Sequence, residues 1–86
     1  MKRHESDRYR AMFRSGTAYL MNDCDTLEEM REEIDRVNKR AMKRGYDEDQ
    51  FIIVHIERYA WYSDGGTFIK SETYETAVET YPKEIE

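Results

Sequence analysis

The sequence predicts an α+β domain in the order ββαββ, a small antiparallel sheet of three to four strands with one amphipathic helix packed on one face. Three observations predict it. An apolar stripe at helical spacing runs from Leu27 to Ala41, a β-branched and aromatic run over 51–62 ends in a glycine turn, and two alternating segments flank Ser15-Gly16. With 86 residues the chain is one small domain, 1–86, near the size at which a core just supports itself, and 1–7 and 82–86 are expected to fray.

At the front, Arg8-Tyr9-Arg10-Ala11-Met12-Phe13 alternates and Ser15-Gly16 signals a turn. Thr17-Ala18-Tyr19-Leu20-Met21 alternates again, which reads as a hairpin. A helix is expected from Leu27 to Arg44. Thr26 and Glu29 form a capping box, and Leu27, Met30, Ile34, Val37 and Ala41 recur every three or four residues on one face. Glu28, Glu29, Glu32, Glu33 and Asp35 fill its first half and Lys39, Arg40, Lys43 and Arg44 its last turns, which complements the helix dipole. Gly45 follows as a residue able to take positive φ.

Beyond the acidic turn Tyr46–Asp49, Phe51-Ile52-Ile53-Val54-His55-Ile56 is apolar on both parities, the pattern of a central strand, and it continues to Tyr62. Ser63-Asp64-Gly65-Gly66 is a hairpin turn, and Thr67–Lys70 starts the return strand. Residues 71–81 suit strand or helix; four threonines favour strand, with a bulge near Ser71–Thr73 and Val78 set near Phe51 and Ile52.

Composition narrows the function classes. Fourteen Lys+Arg against nineteen Asp+Glu give a net charge of −5, and a hydrophobic share of only 38% demands an economical core. An aromatic share of 13% argues against disorder. No apolar run is long enough to span a membrane, and no apolar stretch stands behind the charges of Met1–Asp7, so a signal peptide is not expected. The single cysteine, Cys24, excludes an intramolecular disulfide and any multi-cysteine metal centre, so a soluble cytoplasmic protein is expected.

Few residues carry recognisable chemistry. The four glycines sit at turns or a helix end and form no phosphate-binding fingerprint. His55 and Glu57 share a strand face, where they suit a general-base pair, but one His and one Glu complete no catalytic or metal constellation. Asn22, Asp23, Asp25, Glu28 and Glu29 gather oxygen ligands without the spacing of a calcium loop, which leaves a capped helix start. Acidic neighbours make Cys24 an ordinary thiol. No enzyme activity, cofactor or metal is expected.

Basic residues form two groups, Lys2, Arg3, Arg8, Arg10 and Arg14, and Lys39, Arg40, Lys43 and Arg44. Meeting on one surface, they would make the alternative reading, a small nucleic-acid-associated regulator or antitoxin-like protein, although the net charge repels phosphate. The hairpin followed by Asp25-Thr26-Leu27-Glu28-Glu29 is locally similar, over about 25 residues, to small antitoxins of the HicB type, which start a helix after a strand in the same way.

The most informative feature is a mismatch between one helix and a strand apolar on both faces. With Ile52, Val54, Ile56 and Ala60 set against Leu27, Met30, Ile34 and Val37, the residues Phe51, Ile53, His55, Tyr59 and Trp61 point away and need a cover. These five are the candidate protein interface. The expected function is a non-enzymatic protein-interaction module, acting as a homodimer or as a small adaptor or inhibitor of another protein.

Overall fold

A computed structural model of the chain describes residues 1–14 and 22–83. The elements are β1 (Lys2–Phe13), α1 (Leu27–Lys43), β2 (Phe51–Tyr62) and β3 (Phe68–Tyr81), and the antiparallel sheet has the order β1-β2-β3. The α+β class and antiparallel sheet are as expected; among the described residues the sheet has three strands, within the expected three to four, and the order is βαββ rather than ββαββ. The expected strand Thr17–Met21 lies outside the described residues. Arg8–Phe13 is the second half of a 12-residue strand that pairs with β2 along its length, from Lys2↔Trp61 to Phe13↔Phe51. On its outer edge, Tyr9 and Cys24 exchange backbone hydrogen bonds of 2.8 and 2.9 Å.

Residues 2–7, expected to fray, are thus strand. The Met1 ammonium donates to the Tyr62 carbonyl at 2.6 Å, and Lys2 lies over the rings of Tyr59 and Trp61, so the far end of β2 holds them. Residues 84–86 lie outside the described residues, and the Pro82 carbonyl accepts from Nε2 of Gln50 at 3.1 Å.

The helix follows local rules. Thr26 Oγ1 accepts from the Glu29 amide at 3.1 Å, and the Glu29 carboxylate reaches back to the amide of Asp25, one residue before the cap. At the other end Gly45 has φ 88°, and its amide and that of Arg44 close onto Met42 and Ala41. The return turn follows the glycine signal, with Gly66 at φ 83° and the Ser63 amide donating to Thr67 at 2.8 Å.

Residues 71–81 are strand. The bulge expected near Ser71–Thr73 falls elsewhere: the pairing of β2 with β3 shifts between Ile53 and Val54 and between Trp61 and Tyr62. Val78 is the extra residue at the first shift, and Tyr81 and Thr80, rather than Val78, lie opposite Phe51 and Ile52.

The helix takes the sheet face opposite to the expected one. Met30 and Ile34 bury Ala11, Phe51 and Ile53, with Tyr9, Phe13, Cys24, Leu27, Val37 and Tyr81 packed around them. Flanking strands decide this. On the helix face Phe51 and Ile53 have Phe13, Ala11 and Tyr81 as neighbours, whereas Val54 and Ile56 on the other face lie opposite Arg10, Arg8, Ala77 and Glu75. Arg10 reaches across β2 to within 3.7 Å of Glu75, and the long arginine stem helps bury Val54 and Ile56 without a helix.

Two polar ties fix the helix to β3: Arg31 Nε donates to Glu79 at 2.7 Å, and the Tyr81 hydroxyl donates to Asp35 at 3.0 Å. Asn38, the one buried polar residue among those described, clamps the start of β2. Its Nδ2 donates to the Asp49 carbonyl and its Oδ1 accepts from the Asp49 amide, each at 3.0 Å. Replacing Asn38 with Ala removes both bonds and is expected to lower stability by about 1–3 kcal/mol with the urea m-value unchanged. Equilibrium urea denaturation followed by Trp61 fluorescence checks this, and an unchanged midpoint would contradict the clamp.

Candidate functional site

Helix α1 is about 26 Å long at ~1.5 Å per residue, while β2 spans about 40 Å at ~3.3 Å per residue. The helix starts beside the Tyr9–Cys24 bridge and runs toward Asp49 at the start of β2, away from Trp61. The sheet residues it meets are 9–13, 51–53 and 79–81, so the other half of the same face projects beyond it in a molecule 58 × 23 × 21 Å.

The five candidate residues do share one face, because β2 itself runs without an inserted residue, and the helix divides them. Phe51 and Ile53 lie under it, 1% and 0% exposed, which removes them from the candidate interface and places them in the core. His55, Tyr59 and Trp61 continue past its start. Cross-strand pairing arranges their surroundings in rows: Lys2–Trp61–Lys70, then His4–Tyr59–Glu72, then Asp7–Glu57–Tyr74, then Tyr9–His55–Thr76.

A bulge makes this arrangement. Residues three apart on a strand point to opposite faces, but the register of β1 shifts between His4 and Ser6, so the inserted Glu5 brings His4 and Asp7 to the same face. Asp7 Oδ1 then accepts from Nε2 of His4 at 3.0 Å and from Nε2 of His55 at 2.9 Å. Nδ1 of His55 is 3.5 Å from Glu57, whose carboxylate also accepts from the Tyr59 hydroxyl. Tyr9 stacks on His55 with centroids 4.9 Å apart, and Tyr59 meets His4 and Tyr74 edge to face. Lys2 and Lys70 lie over Trp61 at 5.6 and 4.8 Å.

Electrostatics follow these contacts. Partial burial pushes the Asp7 carboxyl up, but hydrogen bonds from His55 and His4 outweigh it and hold Asp7 below the usual aspartate value. The hydrogen bond to Glu57 raises Tyr59, and that to Glu72 raises Tyr74. His55 and Glu57 thus acquire a second histidine and a second carboxylate, all turned toward one another. Among the described residues no group of three His, Cys, Asp or Glu can hold a metal ion. Recessed sites lie elsewhere, one lined by Asp35, Asn38 and Lys39, another by Glu5, Arg58 and Phe68.

The other sequence features resolve structurally. Arg10 pairs with both carboxylate oxygens of Asp23, at 3.0 and 3.1 Å, and Arg8 pairs with Asp25 at 2.6 Å, so the acidic stretch before the helix is an arginine-clamped helix start. Burial pushes the Cys24 thiol up, and Glu33 and Glu29 add to the effect. The two basic groups do not converge as wholes. Lys2 and Arg3 sit beside Trp61 and Ala60, whereas Arg14, which donates to the Gln50 side chain at 2.7 Å, shares the Asp49 end of β2 with the Lys39–Arg44 end of the helix.

Sequence reasoning missed Lys2, His4, Asp7, Lys70, Glu72 and Tyr74. Residues 2–7 are polar or charged at every position, so no apolar alternation marks them as a strand. No helix among the described residues is long and apolar enough to cross a membrane. A carboxylate held below its ordinary 3.8 adds stability that is complete above that value and lost as pH falls through the lowered one. Asp7→Asn is therefore expected to flatten the acid limb of thermal stability between about pH 5 and pH 2, measured by circular dichroism. An identical acid limb in the variant would contradict the two-histidine contact. No family model matches this chain, and no curated protein or solved structure matches it, so the likeness to HicB-type antitoxins carries no argument about function.

Proposed function

We propose that the protein is a non-enzymatic interaction module that works as a homodimer, docking through the helix-free half of its sheet. The observation that carries this reading is the row-by-row placement of Tyr59, Trp61 and Tyr74, with His55 behind them, on a face that the helix stops short of. Tyrosine and tryptophan rings give large contact area with little side-chain entropy to lose, and a polar fringe such as Lys2, Lys70, Asp7 and Glu72 supplies specificity. The imidazole and carboxylate groups bond to one another on an open sheet, which suits recognition better than general-base chemistry.

Use of the same face as an adaptor or inhibitor surface for another protein is the second form of this reading, favoured by the mixed charge of its rim. The nucleic-acid alternative has less support, because Arg8 and Arg10 are engaged with Asp23, Asp25 and Glu75.

A three-stranded face of this length makes a small interface, so a concentration-dependent equilibrium is expected. Sedimentation equilibrium should give a mass approaching twice 10.4 kDa at high concentration, and Trp61→Ala should shift it toward the single-chain value. A wild-type chain that stays at 10.4 kDa throughout would sink the homodimer reading.

A further inference from the structure

Resting on the homodimer reading, we infer that two copies meet face to face with their strands antiparallel, the Lys2–Trp61–Lys70 row of each lying over the Asp7–Glu57–Tyr74 row of the other. The inference comes from the charge order along the face. The outermost row holds two ammonium groups and no carboxylate; the row two steps inward holds two carboxylates and no cation. Their separation is about 13 Å at ~3.3 Å per residue. Hydrogen bonds from His4, His55 and Tyr59 orient those carboxylates.

A two-fold axis can stack this face on itself in two ways. An axis along the strands keeps each row over its own row and sets Lys2 and Lys70 against the same two lysines of the second copy. An axis across the strands, passing over Tyr59, reverses the row order and keeps each strand over its own counterpart. Lys2 then lies over Asp7, Trp61 over Glu57 and Lys70 over the Tyr74 ring. Opposite charges attract and like charges repel at these separations, so only the second arrangement is self-complementary.

In the middle row Tyr59 falls near its own symmetry mate and so does Glu72. Lys70 at 3.2 Å and the Tyr74 hydroxyl already compensate the Glu72 charge within each chain. Pairing through the edge of β3 offers no comparable complementarity, because its carboxylates Glu72, Glu75 and Glu79 are already engaged by Lys70, Arg10 and Arg31 of the same chain.

Charge reversal tests the pairing. Lys2→Glu with Lys70→Glu makes both rows acidic, and Asp7→Lys with Glu57→Lys makes both basic, so each variant alone should weaken dimerisation about tenfold or more. An equimolar mixture should recover it, because every reversed row then meets an opposite one. Sedimentation of each variant and of the mixture reads this. A wild-type dimer that neither variant weakens, or variants whose mixture does not recover, overturns the face-to-face pairing while leaving the homodimer intact.

Should a reversed variant fail to fold, cross-linking decides on otherwise unaltered chains. In a Cys24→Ser background, Tyr59→Cys lies near the axis, and facing sheets about 10 Å apart exceed disulfide reach, so a short bis-maleimide is used. Covalent dimer from Tyr59→Cys and not from Phe68→Cys is expected; the reverse pattern, or none from either, overturns the inference.

Discussion

Strand β2 carries apolar side chains on both parities, and such a strand is satisfied only in the middle of a sheet with cover on both faces. That constraint orders the molecule. β1 and β3 flank it along its whole length, and the two faces are closed by different means. On one, Met30 and Ile34 seal Phe51 and Ile53; on the other, where Arg10 and Glu75 stand beside Val54 and Ile56, a single arginine bridging to a carboxylate contributes to the cover. The helix goes where the flanking strands have already supplied Ala11, Phe13 and Tyr81.

Legibility in the sequence tracks the range of the interactions. The helix from Leu27, its Thr26 cap, the Gly45 stop, the glycine turn and the central strand were all readable, because each depends on residues within a few positions. The face that the helix covers was not, since β2 alone is apolar on both sides and the answer lies in strands about 40 to 50 positions away on β1 and about 25 away on β3. The same holds for the candidate surface. His55, Tyr59 and Trp61 could be read from the parity of one strand, whereas Lys2, His4 and Asp7 join them only through pairing of a chain end that looked too polar to order.

The chain divides its labour by position. At the Phe51 end, polar groups serve the core: Asn38 fastens the loop before β2, Arg31 and Tyr81 fasten the helix to β3, and Asp23 and Asp25 hold the helix start to β1 through Arg10 and Arg8. At the Trp61 end the same residue types, with no helix above them, form a layer of rings and charges bonded only laterally. A composition in which 38% of residues are charged and 38% hydrophobic is consistent with a protein that builds a core under half of one sheet face.

The inserted Glu5 sets the phase of everything N-terminal to it. In an unbroken strand, side-chain direction is fixed by counting, and regular pairing of Glu5 opposite Tyr59, with no bulge, would turn Lys2 and His4 to the arginine-covered face and bring Arg3 round beside Trp61. The surface is therefore defined by the exclusion of Glu5 from the ladder as much as by side-chain identity. Deleting Glu5 would leave Lys2 and His4 opposite Trp61 and Tyr59, whereas drawing Glu5 into the ladder would exchange the face without touching the buried half of the fold.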